Sequence, residues 1–184
     1  IESVLAQSLP PHQIIVIDDC SSDGSQEIIA GYALRYPDLI TPIYHSHNTG
    51  IAQTRVDAWK AVTGDYVSYL DGDDRFRPTK LEQEACLIQA RPDIQIAFSN
   101  FVYISGDDST FLRTWIDEKT GRPPEGYVFG ETFARDYPRM TLFHMELLPY
   151  ECLRQVGFHD PSLITHEDWD LRIRLTYRYK TAYL

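Results

Sequence analysis

The fold follows from the stretch Asp65-Tyr66-Val67-Ser68-Tyr69-Leu70-Asp71-Gly72-Asp73-Asp74, in which a strand-like run leads directly into three clustered carboxylates. Clustered carboxylates repel one another, and a bound divalent cation is the usual means of holding them together. A helical pattern follows from Pro78 to Ala90, and proline suits the first position of a helix. The stretch therefore predicts a metal site at the carboxyl end of a buried strand.

The same aspartates also begin like a calcium-binding loop. Asp71, Asp73 and Glu82 fall at positions 1, 3 and 12 of such a loop. Its fifth and sixth positions would be Arg75 and Phe76, where an oxygen ligand and a glycine are needed, so an EF-hand is excluded. A solvated acidic turn that caps the next helix is the other alternative, but it explains one aspartate rather than three.

Outward from this stretch, strand patterns alternate with helix patterns at short spacing. The segment 13–17 is a continuous apolar run, as expected for a parallel strand that is covered on both faces. Such alternation predicts an α/β fold with a largely parallel sheet. The other elements predicted in this half are the end of a helix at 1–9, helices at 26–36 and 51–62 with Trp59 in the core, and a strand at 39–44.

The second half of the chain has weaker signals. The predicted elements are strands at 94–104, 111–116 and 140–148, a turn at 106–108, and helices at 149–156 and 167–179. In the last helix, Trp169, Ile173 and Tyr177 form one stripe at helical spacing.

Two acidic clusters meet at one edge of the predicted sheet. Asp18 and Asp19 follow the first strand, as Asp71 to Asp74 follow a later one. Crossovers between parallel strands are right-handed, so the carboxyl ends of the strands share an edge, where open α/β sheets bind ligands. A carboxylate there can accept hydrogen bonds from a base N–H or a ribose hydroxyl. A helix cap is the alternative for Ser22 or Asp23.

The start of the helix at 51–62 carries further candidates. Asn48 and Gly50 directly precede it, and Arg55 lies one turn inside. A helix N-terminus attracts anions, glycine permits close approach of the backbone, and the arginine could reach a phosphate or a base. An exposed arginine on a surface helix is the alternative.

The start of the last helix carries the remaining acids. Glu167 and Asp168 stand beside a histidine and a tryptophan, and one of these carboxylates could act as a general base. Thr165 and Asp168 also have the spacing of a capping box, so a purely structural role stays open.

Composition and charge narrow the partners. The 184 residues carry a net charge of −10 at pH 7, which disfavours nucleic acid or an anionic membrane, because both favour a basic face. Cys20, Cys86 and Cys152 show no metal-ligand spacing and are expected to be buried or half-buried thiols in a reducing compartment. His45 and His47 are expected to be exposed loop residues, with metal ligation as the alternative. No apolar run is long enough to span a bilayer.

Taken together, these motifs resemble the family 2 inverting glycosyltransferases of the GT-A fold. The resemblance implies a Rossmann-like three-layer α/β/α domain over 1–184 with a mostly parallel central sheet. It also implies a nucleotide-sugar-binding half at 1–104, an acceptor-binding half at 105–184, and a first strand that would precede Ile1. The matching segments, in the family's order, are Ile17-Asp18-Asp19-Cys20-Ser21-Ser22-Asp23-Gly24, Asn48-Thr49-Gly50-Ile51-Ala52 with Arg55, Thr63-Gly64-Asp65-Tyr66-Val67, Leu70-Asp71-Gly72-Asp73-Asp74 with Pro78 and Lys80-Leu81, and Glu167-Asp168-Trp169-Asp170-Leu171.

The resemblance also implies roles for the candidate residues. Asp168 would be the catalytic base, with Glu167 beside it, and Mg²⁺ or Mn²⁺ would be the cofactor. Asp73 and Asp74 would serve the ribose and the metal, in an order that stays open. His166 stands where the family often has glycine, which implies a differently shaped acceptor side. The implied nucleotide-sugar-binding residues are Asp18, Asp19, Asn48, Gly50, Arg55, Asp71 and Asp73.

The implied reaction moves a sugar from a nucleoside-diphosphate sugar, first of all a UDP-sugar, to a saccharide or lipid-linked acceptor. A single displacement would invert the anomeric centre. The resemblance implies a cytoplasmic protein with no nucleic-acid partner, and leaves open a homodimer and peripheral contact with the inner face of the membrane. Two other classes remain, a non-catalytic nucleotide-sugar or metal-binding module and a nucleotidyltransferase. The second would need a glycine-rich basic loop early in the chain, and the sequence has none there.

Overall fold

The computed structural model describes residues 1–106 and 110–184. Of the turn predicted at 106–108, Asp107 and Asp108 lie outside the described residues. The helices are α1 (Glu2–Leu5), α2 (Ser25–Arg35), α3 (Ile51–Lys60), α4 (Lys80–Ala90), α5 (Phe129–Ala134), α6 (Tyr150–Val156) and α7 (Glu167–Arg178), with a 3₁₀ turn at Pro138–Met140. The strands are β1 (Ile14–Asp18), β2 (Ile40–Tyr44), β3 (Tyr66–Val67), β4 (Ile96–Phe98), β5 (Val102–Ile104), β6 (Phe111–Thr114), β7 (Leu148–Pro149) and β8 (Thr181–Tyr183).

Parallel pairing joins strands that are distant in the sequence. β1 runs parallel to β2, with Ile14 opposite Ile40, and β4 runs parallel to β8, with Ile96 opposite Thr181. β3 pairs antiparallel with β7, and β5 pairs antiparallel with β6. The second half of the chain thus supplies β7 and β8 as partners for β3 and β4. The prediction of an α/β fold with parallel pairing is confirmed.

The strand predicted before the aspartate cluster is shorter than expected. β3 has two residues, and its described partner β7 is antiparallel rather than parallel. Beyond β3, the hydroxyl of Ser68 donates to the carbonyl of Met145 at 2.9 Å. A side-chain hydrogen bond thus takes the place of a hydrogen bond between two backbones. On the other side, a cavity of about 1060 Å³ lies between Tyr66–Leu70 and β1. The apolar pattern predicted an extended segment but not its pairing.

The strand predicted at 140–148 is wrong except at its last residue. Met140 and Met145 have φ values of 54° and 56°. This left-handed backbone interrupts an extended chain, and few residues other than glycine adopt it readily. The irregular path therefore keeps the segment before β7 out of regular pairing.

The strand predicted at 94–104 is divided into β4 and β5. Asn100 lies between them, and its Oδ1 accepts hydrogen bonds from the backbone N–H groups of Phe101 and Ile116, each at 3.0 Å. A side chain that competes for backbone donors in this way ends a strand. The strand predicted at 111–116 is confirmed as β6, two residues shorter.

Most helices agree with the sequence prediction to within one or two residues. The exceptions are α1, which ends at Leu5 instead of Leu9, and α5, which was not predicted. The carbonyl of Pro78 accepts a hydrogen bond from the backbone N–H of Ser8 at 2.8 Å, so the segment after α1 is attached to the chain ahead of α4.

The buried face of α7 differs from the predicted stripe. Leu171 and Leu175 face the core, whereas Tyr177 is 68% exposed. Trp169 and Ile173 are half-buried. The two leucines are spaced i, i+4, which places them on one side of the helix. The buried row of α7 is therefore that of Leu171 and Leu175, and not the predicted row that includes Tyr177.

The core is built around stacked aromatic rings. Phe98 and Phe143 stack with centroids 4.6 Å apart, and both are fully buried with Trp115. Trp59 is buried as predicted, and its indole N–H donates to Nδ1 of His159 at 3.1 Å. The hydrogen bond satisfies a polar group that would otherwise be costly to bury.

Leu175→Ala is expected to lower the free energy of unfolding by about 2–5 kcal/mol, because it leaves a cavity in this core. Chemical denaturation monitored by tryptophan fluorescence measures the change. Leu34→Ala is the matched control, because Leu34 is 84% exposed on α2 and its loss should change stability by less than about 0.5 kcal/mol. Equal effects of the two substitutions would contradict the described core.

The cysteines are all free, and their burial differs from the expectation. Cys152 is buried, but Cys20 and Cys86 are exposed. Burial raises the pKa of the Cys152 thiol to about 11, so this thiol is an apolar packing group. Among the described residues, no helix has the length and apolar character needed to cross a membrane.

Candidate functional site

Arg55 joins three parts of the chain at the carboxyl edge of the strands. It projects from α3, and its Nη2 lies 3.0 Å from Oδ1 of Asp71. Its Nη1 lies 3.1 Å from Oε1 of Glu167 at the start of α7. The guanidinium also lies over the ring of Tyr69, 5.1 Å from the centroid. Since the Arg55 side chain is 13% exposed, the alternative of a solvated surface arginine is wrong.

Asp168 presents a partly open carboxylate beside this junction. Its Oδ2 accepts a hydrogen bond from Nη1 of Arg172 at 2.9 Å, and its side chain is 32% exposed. The predicted capping box does not form, because the N-cap residue is His166 and no side chain caps α7. The carboxylate of Asp168 therefore contacts Arg172, one turn further along the same helix, and does not take part in a capping box.

The ionisation of Asp168 suits a proton acceptor. Burial by itself would raise its pKa, but the guanidinium of Arg172 and the backbone N–H of Trp169 outweigh that effect and lower it. The carboxylate is then charged at neutral pH. A charged, partly exposed carboxylate can accept a proton from a bound hydroxyl.

The aspartate loop, which we define as Asp71 to Asp74 after β3, is exposed to solvent. The backbone N–H of Asp74 donates to the carbonyl of Asp71 at 3.1 Å, which closes a turn. Burial, followed by the charges of Asp73 and Asp71, raises the pKa of Asp74. No group of three or more acidic, histidine or cysteine side chains among residues 1–106 and 110–184 could hold a metal ion by itself. Mg²⁺ sites that use one or two carboxylates together with substrate phosphates need no such group.

Asp19 holds the start of α3. Its Oδ1 accepts hydrogen bonds from the backbone N–H and the hydroxyl of Thr49, both at 2.8 Å, and its Oδ2 accepts one from the N–H of Gly50 at 2.9 Å. Nδ1 of His45 lies 2.7 Å from the same Oδ1. His45 is thus a half-buried partner of Asp19 and not the exposed loop residue that was expected, whereas His47 is exposed as predicted.

Gly50 has the backbone that its position requires. Its φ of 85° and ψ of 158° lie in a region that is essentially restricted to glycine. Asn48 is exposed, and its Nδ2 donates to the carbonyl of Asp19 at 3.4 Å. In the loop before α3, the backbone N–H groups therefore point toward Asp19, while the side chain of Asn48 remains exposed to solvent.

Asp18 is buried and acts within its own loop. Its Oδ2 accepts hydrogen bonds from the N–H of Ser21 at 3.0 Å and from Nε2 of Gln26 at 2.7 Å. These hydrogen bonds lower its pKa against the opposing effect of burial. Asp23 accepts from the N–H and hydroxyl of Ser25, as expected of a residue at the start of α2.

Asp19→Asn is expected to lower the free energy of unfolding at pH 7 by about 1–2 kcal/mol, because hydrogen bonds to a charged acceptor are lost. Although burial acts to raise the pKa of Asp19, the hydrogen bonds from His45, Thr49 and Gly50 hold it far below its ordinary value. A lowered pKa contributes stability that is complete above the unfolded-state pKa of about 4 and is lost as the pH falls toward the folded-state pKa.

The difference between wild type and Asp19→Asn should therefore narrow as the pH falls below about 4. Urea denaturation between pH 7 and pH 2.5 measures it. Asp38→Asn, at an exposed aspartate, is the control and should show little change at any pH. A difference that stays constant down to the lowest pH would contradict the role of the charged Asp19.

Several residues of the site were missed by sequence reasoning. The buried Glu146 and Arg172, together with the half-buried Tyr69, form a polar group beneath Asp168. Lys80 forms a second buried pair with Glu84, with Nζ and Oε2 2.9 Å apart. Buried charges are rare unless they are paired, so an i, i+4 Lys–Glu spacing and an arginine four residues after Asp168 were the available signals.

A family model described as Glycosyl transferase family 2 matches residues 1–149. The chain is 38% identical over 117 residues to a putative teichuronic acid biosynthesis glycosyltransferase, TuaG, of Bacillus subtilis, which covers 63% of this chain and 45% of TuaG. It is 27% identical over 175 residues to an uncharacterized glycosyltransferase of Methanocaldococcus jannaschii, which covers 95% of this chain and 57% of that protein. The chain thus spans about half the length of these curated relatives.

Solved structures share the fold at low sequence identity. Staphylococcus aureus TarS 1-349 in complex with UDP superposes with a TM-score of 0.73 at 18% identity, over all of this chain and 55% of that one. The mannosyltransferase PcManGT from Pyrobaculum calidifontis, in complex with GDP-Man and Mn²⁺, gives 0.67 at 17% identity, over all of this chain and 49% of that one. The expected GT-A fold is confirmed. Because the family model also matches well over half of the sequence, this chain belongs to glycosyl transferase family 2.

Proposed function

We propose that the chain transfers a sugar from a nucleoside-diphosphate sugar to an acceptor hydroxyl in one displacement that inverts the anomeric centre. The observation that carries the proposal is the junction at Arg55, which joins Asp71 after β3 to Glu167 at the start of α7. That junction brings the aspartate loop next to the ionised Asp168. Membership of the family and relatives named as glycosyltransferases support the class of reaction.

In this proposal the nucleotide lies against the loops that follow β1 and precede α3. Asp18 and Asp19 both accept hydrogen bonds within the protein, so their first role is to shape these loops. Oδ2 of Asp19 accepts from Gly50 and keeps a further lone pair that could accept a base N–H. Asn48 and Gly50 offer an amide and an uncrowded backbone beside it. UDP and GDP-Man in the structurally similar proteins support a nucleoside diphosphate as the leaving group.

A divalent cation fits the aspartate loop. Burial and then the neighbouring charges of Asp73 and Asp71 raise the pKa of Asp74, and a cation shared with the diphosphate would neutralise the carboxylates of this loop. We assign Asp73 and Asp74 as the residues that would hold Mg²⁺ or Mn²⁺, with Asp71 positioned by Arg55. When bound, the ion would stabilise the charge that develops on the leaving diphosphate. The Mn²⁺ bound by PcManGT is consistent with this assignment.

Asp168 is the proposed general base. An acceptor hydroxyl must lose its proton as its oxygen attacks the anomeric carbon from the side opposite the diphosphate. The ionised carboxylate of Asp168 can take that proton, and Glu167 keeps Arg55 in place beside it. One carboxylate is sufficient for a single displacement, because no covalent sugar–enzyme intermediate has to form.

We propose that the two halves of the chain bind different substrates. Residues 1–104 would bind the donor, and 105–184, with the region around His144, would bind a saccharide or lipid-linked acceptor. We also propose that the cavity between β1 and Tyr66–Leu70 is where the family's first strand packs, because both flanking segments border it. We also propose a cytoplasmic location and a homodimer.

A donor screen tests the proposed function. The chain is incubated with Mn²⁺ and UDP-glucose, UDP-N-acetylglucosamine, UDP-galactose or GDP-mannose, with water or simple saccharides as acceptors. Proton NMR is expected to show release of the nucleoside diphosphate and a product of inverted anomeric configuration. Release with retained configuration would overturn the single displacement. Binding of a donor without release of the nucleoside diphosphate would favour a non-catalytic nucleotide-sugar-binding module.

A further inference from the structure

Arg172 is a buried arginine directly beneath the proposed base. Its side chain is 2% exposed and its guanidinium lies in the core face of α7. Nη1 donates to Oδ2 of Asp168 at 2.9 Å. Nε has no hydrogen-bond partner among the described residues. The orientation of this guanidinium therefore depends on the contacts of its two terminal nitrogens.

The second terminal nitrogen has two partners from other elements. Nη2 lies 3.3 Å from Oε2 of the buried Glu146 and also donates to the hydroxyl of Tyr69. The guanidinium lies over the ring of Phe143, 5.5 Å from the centroid. A planar fork with several fixed donors is held more rigidly by such a set than an ammonium would be.

Tyr69 connects this buried group to the donor side. It precedes Asp71 by two residues, and the centroid of its ring lies 5.1 Å from the guanidinium of Arg55 and 6.0 Å from that of Arg172. Arg55 in turn contacts Asp71 and Glu167. The base and the aspartate loop are thereby linked through the contacts of Arg172, Tyr69 and Arg55.

We infer that Arg172 is a positioning residue for Asp168, and that Glu146 and Tyr69 hold Arg172 so that the base keeps a fixed direction relative to the donor loop. The inference rests on the proposed function for the role of Asp168. Glu146 neutralises the guanidinium in the core, where an unpaired charge would be costly. Arg172 itself is too deeply buried to touch a substrate.

The electrostatics agree with this geometry. The charged or titratable groups that act on Asp168 are Arg172, His144 and Arg55. Burial lowers the pKa of His144 to about 4, so this histidine is neutral at pH 7. Arg172 is the nearest permanent cation and the one with a direct hydrogen bond. Its replacement should raise the affinity of Asp168 for a proton.

The test compares two arginines of α7 that each pair with an aspartate one turn earlier in the helix. Arg172 pairs with Asp168 and Arg174 pairs with Asp170, both at i, i+4 spacing. The pKa of Asp168 is measured by ¹³C NMR of its carboxyl carbon in wild type, Arg172→Lys and Arg174→Lys, with the signal assigned by its loss in Asp168→Asn. Turnover of the donor found by the screen is measured on the same samples.

Arg172→Lys is expected to raise the pKa of Asp168 by about one unit and to lower kcat by about tenfold or more, with the donor KM nearly unchanged. Arg174→Lys should alter neither quantity, because it leaves the contacts of Asp168 intact. Tyr69→Phe, which keeps the ring and removes the hydroxyl, should also raise the pKa of Asp168 and lower kcat, but by smaller amounts than Arg172→Lys. It decides the question alone if Arg172→Lys does not fold.

Unchanged pKa and kcat in the folded variants would overturn the positioning role. Equal changes in Arg172→Lys and Arg174→Lys would also overturn it, because the effect would then be a general loss of helix packing. Failure of the proposed function is distinguishable, since full turnover by Asp168→Asn would remove Asp168 as the base without affecting the NMR titration.

Discussion

Asp168→Asn is expected to reduce sugar transfer by about 10²–10⁴-fold, the range that general-base catalysis contributes, while the chain still binds the nucleoside diphosphate. Asparagine keeps the shape of the side chain and can still accept the hydrogen bond from Arg172, but it cannot take up the proton of the acceptor. Release of the nucleoside diphosphate measures the rate, and calorimetric titration with UDP and Mn²⁺ measures binding.

Asp160→Asn provides the control for this substitution. Asp160 is exposed in the segment before α7 and accepts a hydrogen bond from the N–H of Ser162. Its loss should leave both rate and binding near wild type. Retained turnover in Asp168→Asn would exclude Asp168 as the base, and loss of nucleotide binding would place it in the donor site instead.

Chelation of divalent cations is the second change with a large expected effect. EDTA should lower transfer by about 10²-fold or more, because the diphosphate would leave without the several kcal/mol of charge stabilisation that a cation supplies. Added Mn²⁺ should restore the rate. Asp73→Asn should show a similar loss and should require a higher Mn²⁺ concentration for half-maximal activity.

Asp65→Asn is the matched control for Asp73→Asn. Asp65 is an exposed aspartate that precedes β3, at the end of the segment away from the aspartate loop. It should respond to Mn²⁺ as wild type does. Full activity in EDTA, or an unchanged Mn²⁺ requirement in Asp73→Asn, would contradict a metal at the aspartate loop.

The parts of the fold that could be predicted from sequence were those set by local patterns. The continuous apolar run at 13–17 and the amphipathic pattern of α3 each indicated the correct element, because a strand covered on both faces is apolar throughout and a half-buried helix has a period of 3.6 residues. The rule that the ends of parallel strands share one edge predicted a site that includes Asp71, but it did not predict the contacts of Arg55 with Asp71 and Glu167.

The parts that could not be predicted depend on contacts between distant residues. The left-handed backbone at Met140 and Met145 removed a predicted strand, and neither residue signals that conformation in its sequence. The choice of Leu171 and Leu175 over Tyr177 as the buried face of α7 depended on what packs against the helix. The pairing of Arg172 with Glu146 joins residues 26 positions apart, beyond any local pattern.

His166 illustrates a difference between motif and geometry. The spacing of Thr165 and Asp168 favoured a capping box, yet His166 is the N-cap with a φ of 66°, and Arg135 lies 3.2 Å from its Nδ1. The ring of Trp169 lies edge-on to His166 at 5.8 Å. These contacts hold a backbone conformation that glycine would adopt more easily, which explains how a histidine is accommodated there.

The most direct test of one shared site is the melting temperature of wild type and Arg55→Gln with UDP and Mn²⁺. At about 100 times the dissociation constant, a ligand specific for the folded state adds about 2.7 kcal/mol, or about 5–10 °C for a chain of this size. Wild type should show this rise, and Arg55→Gln should lose at least half of it, because the aspartate loop is no longer joined to α7. A flat response of wild type to UDP, GDP and either cation, or an equal rise in both proteins, would contradict the account.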